Sequence, residues 1–374
     1  MAEPVCDLIL LSWNHLELTT PCLETLFRTT DVPSRLFIVD NGSDPSVREA
    51  LGRVKPQGAI QEVVLLQNET NEGFPKGMNR GMRVSRAPYV CLLNNDLLFT
   101  SGWLSQMLEV AGAHPELGVL NPTSSTFGNH PPDGMSMEAY AAFLRAKRGL
   151  YVEVGMCIGF CLLISRAVID RVGLLTEEVE RAFFEDEDFC MRAKAAGFQC
   201  AVVKSAYVFH AEHKTLRPSP EREAIFNRNR RWCEGKWGRR LRLACPRFEA
   251  IHLGEDGLRA WLEPLLAIAR NRTLLYVYGP LPWRTAGNHV FRSAGLVPHA
   301  NISWHRVPRV ATRLLVTLAI VRRQKKRFDA ILAPDERWAR VMRWLRFLHR
   351  APVVLASDAE GLERIWQTRF RSRS

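Results

Sequence analysis

Tyr89-Val-Cys-Leu-Leu-Asn94-Asn95-Asp96 decides how this chain is read. An apolar run that ends in two amides and a carboxylate is a buried strand that delivers oxygen ligands to the carboxyl edge of a sheet. That edge is where open α/β sheets bind ligands. Two earlier runs end in the same manner: residues 7–11 lead into Ser12, Trp13 and Asn14, and residues 36–39 lead into Asp40-Asn41-Gly42-Ser43. Helical periodicity over 16–28, 45–53 and 76–85 separates these runs and a further strand at 63–66. The alternation predicts an α/β fold with a doubly wound, mostly parallel sheet and helices on both faces.

Beyond the quoted strand the pattern loosens. Residues 122–134, rich in Pro, Ser, Thr, Gly and Asn, read as a long loop. Residues 138–147 read as helix, 156–164 as a core strand, and 188–196 as a helix stopped by Gly197. A strand follows within 199–208, then an arginine-rich helix over 217–237. A boundary between 240 and 272 divides the chain into domains 1–240 and 241–374. In the second, strands at 273–278, 328–333 and 352–356 alternate with basic helices at 309–326, 336–349 and 360–369. This is a smaller, basic α/β domain.

The 374 residues, 47% hydrophobic and 24% charged, suffice for two cores. No basic segment precedes the first short apolar run, and no apolar stretch approaches bilayer length. The nine cysteines are scattered, without paired zinc spacing. These features suit a cytoplasmic protein with reduced core thiols. The net charge of +12 is uneven. Residues 1–227 hold 21 basic and 28 acidic residues, net −7, whereas 228–374 hold 30 and 11, net +19. Solvated helix faces are one reading of this excess. The alternative reading of the whole excess is attraction to an anionic partner: the inner face of the cell membrane, a lipid-linked pyrophosphate acceptor or an anionic glycan. No zinc finger, RNA-binding motif or basic–aromatic strand pattern accompanies it, so nucleic acid is not an expected partner.

Several segments carry chemistry. Asp96 suits a hard divalent ion, Mg²⁺ or Mn²⁺, that keeps waters and completes its shell from substrate phosphates. Glu185-Asp186-Glu187-Asp188 lies between aromatics, and crowded, half-buried carboxylates raise one another's pKa, which favours a general base. Exposed acids at a helix start are the plainer reading. Asp40 either accepts the imide N–H of a uracil or thymine ring or closes an Asx turn. Asn71–Gly81, containing Gly73 and Asn79, precedes a helix, where backbone N–H groups approach phosphate; Asn79 serves the nucleotide or caps and packs. His210 or His213, after a strand, completes a metal shell or contacts a diphosphate. The segment 229–238 holds phosphate or acceptor, or is a solvated basic helix.

Taken together, Leu8–Asn14, Ile38–Ser43, Asn71–Gly81, Leu92–Asp96, Gly159–Val172 and Phe183–Ala193 resemble the family 2 glycosyltransferases of the GT-A fold, notably their bacterial rhamnosyltransferase-like branch. The resemblance covers about residues 5–240. It implies nucleotide contacts from Ser12, Trp13, Asn14, Asp40, Gly73, Asn79 and Asn95, and metal ligation by Asp96 and His210. It implies a base at Asp186 assisted by Glu185, and an inverting single displacement. Asn94 stands where the family's metal motif has its first acid, which leaves one carboxylate for the ion. The implied partners are a nucleotide-sugar donor and a saccharide or lipid-linked acceptor, in cell-surface polysaccharide synthesis. Two other classes compete. A sugar nucleotidyltransferase needs a glycine-rich loop after the first strand, where this chain has Ser12-Trp13-Asn14-His15. A non-catalytic glycan-binding scaffold has no need of Asp40, Asp96 and Asp186 together.

Overall fold

The computed structural model describes residues 3–211, 219–246, 254–279, 287–307, 317–318, 320 and 327–370. The chain divides into two compact units, residues 1–152 with 156–233, and residues 153–155 with 234–374.

The first unit begins β1 (Cys6–Ser12), α1 (Leu16–Thr29), β2 (Ser34–Asp40), α2 (Pro45–Gly52), β3 (Ile60–Gln67), α3 (Phe74–Val84) and β4 (Tyr89–Asn94). It continues with β5 (Leu97–Phe99), α4 (Trp103–Ala113), β6 (Leu117–Ser124), α5 (Met137–Leu144), β7 (Tyr151–Glu153) and β8 (Cys161–Ser165). Then come α6 (Arg166–Val172), α7 (Glu185–Ala195), β9 (Gln199–His210) and α8 (Pro220–Trp237), in which the division between the units falls. The strand order is β3-β2-β1-β4-β8-β6-β9-β5, with β7 beside β9. The chain runs β1 to β3 in one direction and returns to place β4 on the other side of β1. The reversal makes a topological switch point, and the crevice beyond the carboxyl ends of β1 and β4 is the standard ligand position of such a sheet. Register puts the predicted residues there: Ser12 pairs with Asp40, and Leu11 with Asn94.

The sheet is more mixed than the sequence suggests. β8 runs antiparallel to both β4 and β6, and β5 antiparallel to β9. Residues 156–160 are not strand, because their backbone turns away to serve the site described below, and β8 starts only at Cys161. Conversely, β6 extends into the stretch read as a loop. Pro122 is tolerated because pairing with β8 ends at Leu120, and a register shift at Pro122/Thr123 interrupts pairing with β9. Each of these strands is too short or too polar to announce itself by periodicity.

Burial holds the unit together. Leu8, Leu10, Leu36, Ile38, Cys91 and Leu93 pack in one core with Trp103 and Phe160. At the opposite sheet end, buried Asp7 accepts two hydrogen bonds from Arg35 (2.8 and 2.9 Å) and the backbone N–H groups of Arg86 and Ala87. That carboxylate thereby ties β1 to β2 and to the turn entering β4. The α3 helix lies flat on β1 through glycines one turn apart. A β-carbon on Gly77 would stand 2.5 Å from Leu11 Cδ1, and one on Gly81 2.5 Å from Ile9 Cγ2. All nine cysteines are free and buried.

The second unit carries β10 (Leu241–Pro246), α9 (Glu255–Arg270), β11 (Thr273–Gly279), α10 (Gly287–Arg292), β12 (Ile302–Arg306), β13 (Ala330–Ala333), α11 (Glu336–Trp344), α12 (Arg346–His349), β14 (Val353–Leu355) and α13 (Ala359–Gln367). Its five strands are all parallel, in the order β12-β11-β10-β13-β14. β10 and α9 occupy the region read as a boundary. The helix expected at 309–326 falls largely outside the described residues. Among the described residues no helix is long and apolar enough to cross a membrane.

Gly81→Val should force β1 and α3 apart and lower stability by about 1–3 kcal/mol, the usual cost of overpacking. Urea denaturation should show a lower midpoint at unchanged slope. Gly52→Ala, in α2 with nothing within 4 Å of the new carbon, is the control and should be neutral or slightly stabilising.

Candidate active site

Three strand ends and one loop build the site. After β1, Asn14 and His15 take left-handed conformations (φ 50° and 48°) and turn the chain sharply into α1. Asn14 donates its N–H to Ser43 Oγ (2.8 Å) and accepts the Asp44 N–H on its side-chain oxygen (2.8 Å), so the β1 and β2 turns are laced together. Ser12 Oγ shares a 3.2 Å hydrogen bond with Thr19 Oγ1, which also accepts from Asn95 Nδ2 at 2.9 Å. Trp13 stands beside them, exposed.

Asp40 is fully buried, and both of its oxygens are engaged. Oδ1 accepts the Ser43 N–H (3.0 Å), and Oδ2 faces Arg48 Nε (3.2 Å). The Asx turn is thus real, with an ion pair added. The neighbouring Asn41, which the sequence reading passed over, is the hub of the second strand end. It donates to Asn71 Oδ1 and Gly73 O and accepts from Asn68 Nδ2 and the Glu72 N–H.

At the end of β4, Asp96 is nearly buried and its Oδ1 makes no hydrogen bond, although His210 Nε2 lies 3.1 Å away. Leu97 pairs with His210 across β5 and β9, which fixes this approach. His210 is held on three sides. Its Nδ1 meets Thr126 Oγ1 at 2.8 Å, its backbone exchanges hydrogen bonds with Ser125 Oγ, and its ring stacks on Phe160 (5.2 Å, 11°). An orphaned carboxylate oxygen facing an imidazole nitrogen is a fit for a divalent cation. Among the described residues no group of three or more His, Cys, Asp or Glu could hold a metal, so those residues offer no more than this pair here. His213 lies outside the described residues.

The acidic cluster opens α7. Asp186 accepts the Gly159 N–H on Oδ2 (3.0 Å) and the Glu187 N–H on Oδ1 (2.7 Å). Burial lifts its pKa from 3.8 to about 6, against the lowering effect of those two donors. Glu185 is buried deeper, with Oε2 unpartnered. Burial and then the Asp186 charge push its carboxyl pKa well above the ordinary glutamate value. Asp188 is taken by Arg192 one turn on (2.8 Å), whose other nitrogens cap the carbonyls of Val172 and Leu174. Within the cluster, Asp186 thus faces Gly159, Glu185 is buried with one oxygen unpartnered, and Asp188 is tied to Arg192.

The loop before α7 is strained. Arg181, Phe183 and Phe184 have φ of 59°, 76° and 75°, each costing about 1–2 kcal/mol for a residue with a side chain. Asn229 Nδ2 clamps the carbonyls of Glu180, Ala182 and Phe183, and Phe226 packs on both phenylalanine rings. From the other side the Phe74 N–H donates to Arg181 O (2.6 Å), and a β-carbon on Gly73 would stand 2.8 Å from the Arg181 Cα. Asn79 donates to Leu175 O and Glu177 Oε1 and accepts the Leu175 N–H. Gly73 and Asn79, expected beside the nucleotide, thus spend their contacts on positioning the acid-bearing loop. The Gly73 N–H is itself taken by Asn71 Oδ1. Of the two readings of Asn79, the geometry takes capping and packing.

Gly159-Phe160 joins the two halves of the site. Its first N–H binds Asp186, its second carbonyl accepts the Asn94 N–H (2.9 Å), and its ring backs His210. A half-buried carboxylate with raised pKa and the Asp96–His210 pair thus lie at the switch-point edge of the sheet, the usual ligand position of such a fold. Residues 7–173, somewhat less than half of this chain, match the family model for Glycosyl transferase family 2, and over that stretch the chain is similar to that family.

The chain is 25% identical over 258 residues to "Uncharacterized protein y4gI" of Sinorhizobium fredii, covering 63% of this chain and 28% of that one. It is 24% identical over 115 residues to a "PGL/p-HBAD biosynthesis glycosyltransferase" of Mycobacterium bovis, covering 30% of this chain and 44% of that one. The chain thus spans less than half the length of either relative. Among solved structures it is similar to the mannosyltransferase PcManGT of Pyrobaculum calidifontis in complex with GDP-Man and Mn²⁺. That match has TM-score 0.43 and 14% identity, covering 58% of this chain and 59% of that one. It is also similar to S. aureus TarS 1-349 in complex with UDP-GlcNAc, with TM-score 0.44 and 18% identity, covering 58% and 62%.

The folded Asp186 carboxyl releases its proton near pH 6, the unfolded one near 3.8. Folding therefore retains a proton between those values, and this contribution to stability is present below about pH 4 and lost as pH rises through about 6. Asp186→Asn removes the dependence. Relative to wild type it should gain up to roughly 3 kcal/mol between pH 4 and pH 8. Urea midpoints at the two pH values read the difference, and a constant offset would refute the raised pKa.

Proposed function

We propose that the first unit is an inverting, metal-dependent transferase that moves a hexose or deoxyhexose from a UDP- or dTDP-sugar to a glycan or lipid-linked glycan acceptor. The observation that carries this reading is the shared Gly159-Phe160 anchor. It supports a half-buried base on one side and an orphaned Asp96 oxygen facing His210 on the other. The segment order also resembles the rhamnosyltransferase-like branch, which favours a deoxyhexose as the first donor to test.

In this reading Asp96 and His210 would hold a Mg²⁺ or Mn²⁺ ion, which would supply positive charge against the leaving nucleoside diphosphate. Asp186, ionised above about pH 6, takes the proton of the acceptor hydroxyl as it attacks the anomeric carbon. Burial and the neighbouring Asp186 charge raise the Glu185 pKa, which disfavours a second negative charge beside the base. Ser12, Trp13, Asn14 and Asn95 line the nucleotide side of the crevice. Asp40 reads the base only if the turn it closes yields one oxygen. The second unit serves acceptor or subunit contacts, and the basic excess after residue 227 favours an anionic acceptor.

A panel of nucleotide sugars incubated with Mn²⁺ tests the reading through released nucleotide. EDTA and Asp96→Ala should each abolish release in a folded protein. Metal-dependent turnover in Asp96→Ala would overturn the metal assignment. Asp186→Asn should bind donor and metal but transfer about 10²–10⁴-fold more slowly, the usual worth of a general base. The rise of rate through about pH 6 should vanish with it. Asp40→Ala should weaken UDP or dTDP binding by about 1.5–3 kcal/mol if the carboxylate reads the base. Unchanged nucleotide affinity with lower stability would assign it to the turn alone.

A further inference from the structure

The second unit presents a face that its own core does not use. Helices α11 and α12 pack inward through Trp338, Ala339 and Met342, against Ala333, Ile331 and Ala351, and the buried His349 meets Met342 O at 2.8 Å. Their outer side carries Val341, Trp344, Phe347 and Leu348, all exposed; Trp344 is 76% and Phe347 68% exposed. The two rings pack edge to face, 6.3 Å apart, so the tip is a formed apolar knob and not a scatter of side chains. Arg337, Arg340, Arg343, Arg346 and Arg350 surround it, all exposed, and residues 337–350 contain no acid. Among the described residues only Arg343 of the five is ion-paired, to Glu336 at 3.2 Å.

We infer that this face docks on an anionic phospholipid surface, with Trp344, Phe347 and Leu348 entering the headgroup layer and the arginines engaging lipid phosphates. Four large apolar residues kept in water on a rigid helix mark an interaction site. The chemistry of the rim selects the occupant. Guanidinium groups pair bidentately with phosphate, and an aromatic knob ringed by basic residues is the pattern of a helix lying in a membrane interface. A second copy of the chain is a poor occupant, because a two-fold contact would set five arginines against five. The inference goes beyond the transferase reading and does not depend on it. It assigns to one helix pair an attraction that the charge count spreads over half the chain.

Co-sedimentation of the full chain with vesicles of phosphatidylcholine alone, and with about one third phosphatidylglycerol, tests the proposal. Binding should appear with phosphatidylglycerol and weaken as salt is raised. Trp344→Ala with Phe347→Ala should lower the vesicle affinity about tenfold or more. Arg340→Gln with Arg346→Gln should lower it and flatten the salt dependence. All four residues are exposed, and circular dichroism checks that the variants stay folded. Wild-type affinity in both double variants, or equal binding to the two vesicle types, would overturn the assignment. So would a patch that drives self-association or heparin binding while ignoring anionic vesicles.

Discussion

The N–H of Gly159 donated to Asp186 is the contact on which the chemistry proposed for the first unit depends. It fixes the carboxylate at the mouth of the sheet, and its cost in pKa is visible. Two backbone donors favour the charged form, yet removal from water wins and the proton is held to about pH 6. The same dipeptide reaches Asn94 through its carbonyl and His210 through its ring. A shift of this backbone would therefore disturb the base and the Asp96–His210 pair together. Residues 156–160 leave the sheet to do this, and β8 is short for the same reason.

Around that contact the molecule spends much of its polar inventory on one strained loop. Arg181, Phe183 and Phe184 adopt left-handed backbone, and the groups that offset the strain come from distant parts of the sequence. Asn229 on α8 satisfies three carbonyls, Asn79 and Phe74 on α3 hold the loop from the other side, and Arg192 closes its start. Residues that a motif reading assigns to the substrate are here spent on pre-organisation. That is a reasonable use of them: a base misplaced by an ångström loses far more rate than one hydrogen bond contributes in stability.

The second unit follows a simpler logic. Its parallel sheet has two apolar cores, one on Leu262, Leu265 and Phe291 and the other on Ile331, Trp338 and Met342. The apolar knob on α11 and α12 stands out because the rest of the helix pair obeys the ordinary inward–outward pattern.

The sequence by itself determined the first sheet and its ligand edge. Runs such as 89–93 and 36–39 are long, apolar and closed by polar residues, and burial on both faces leaves them no other conformation. It determined the acidic cluster, and with it the candidate base, because four acids between aromatics cannot all be solvated. It also determined that the second half is basic α/β. What only the tertiary structure decided is which member of each motif is free. Asp188 is paired with Arg192, Glu185 is buried with a raised pKa, Gly73 and Asn79 belong to the loop, and Asp40 closes its turn against Arg48. Asn41, Thr126, Phe160 and Asn229 gain their roles only when strands far apart in sequence are brought together. Local spacing carries no record of such partners: a hydrogen bond between residues 159 and 186, or 182 and 229, is set by the path of the chain through space and not by the residues beside it.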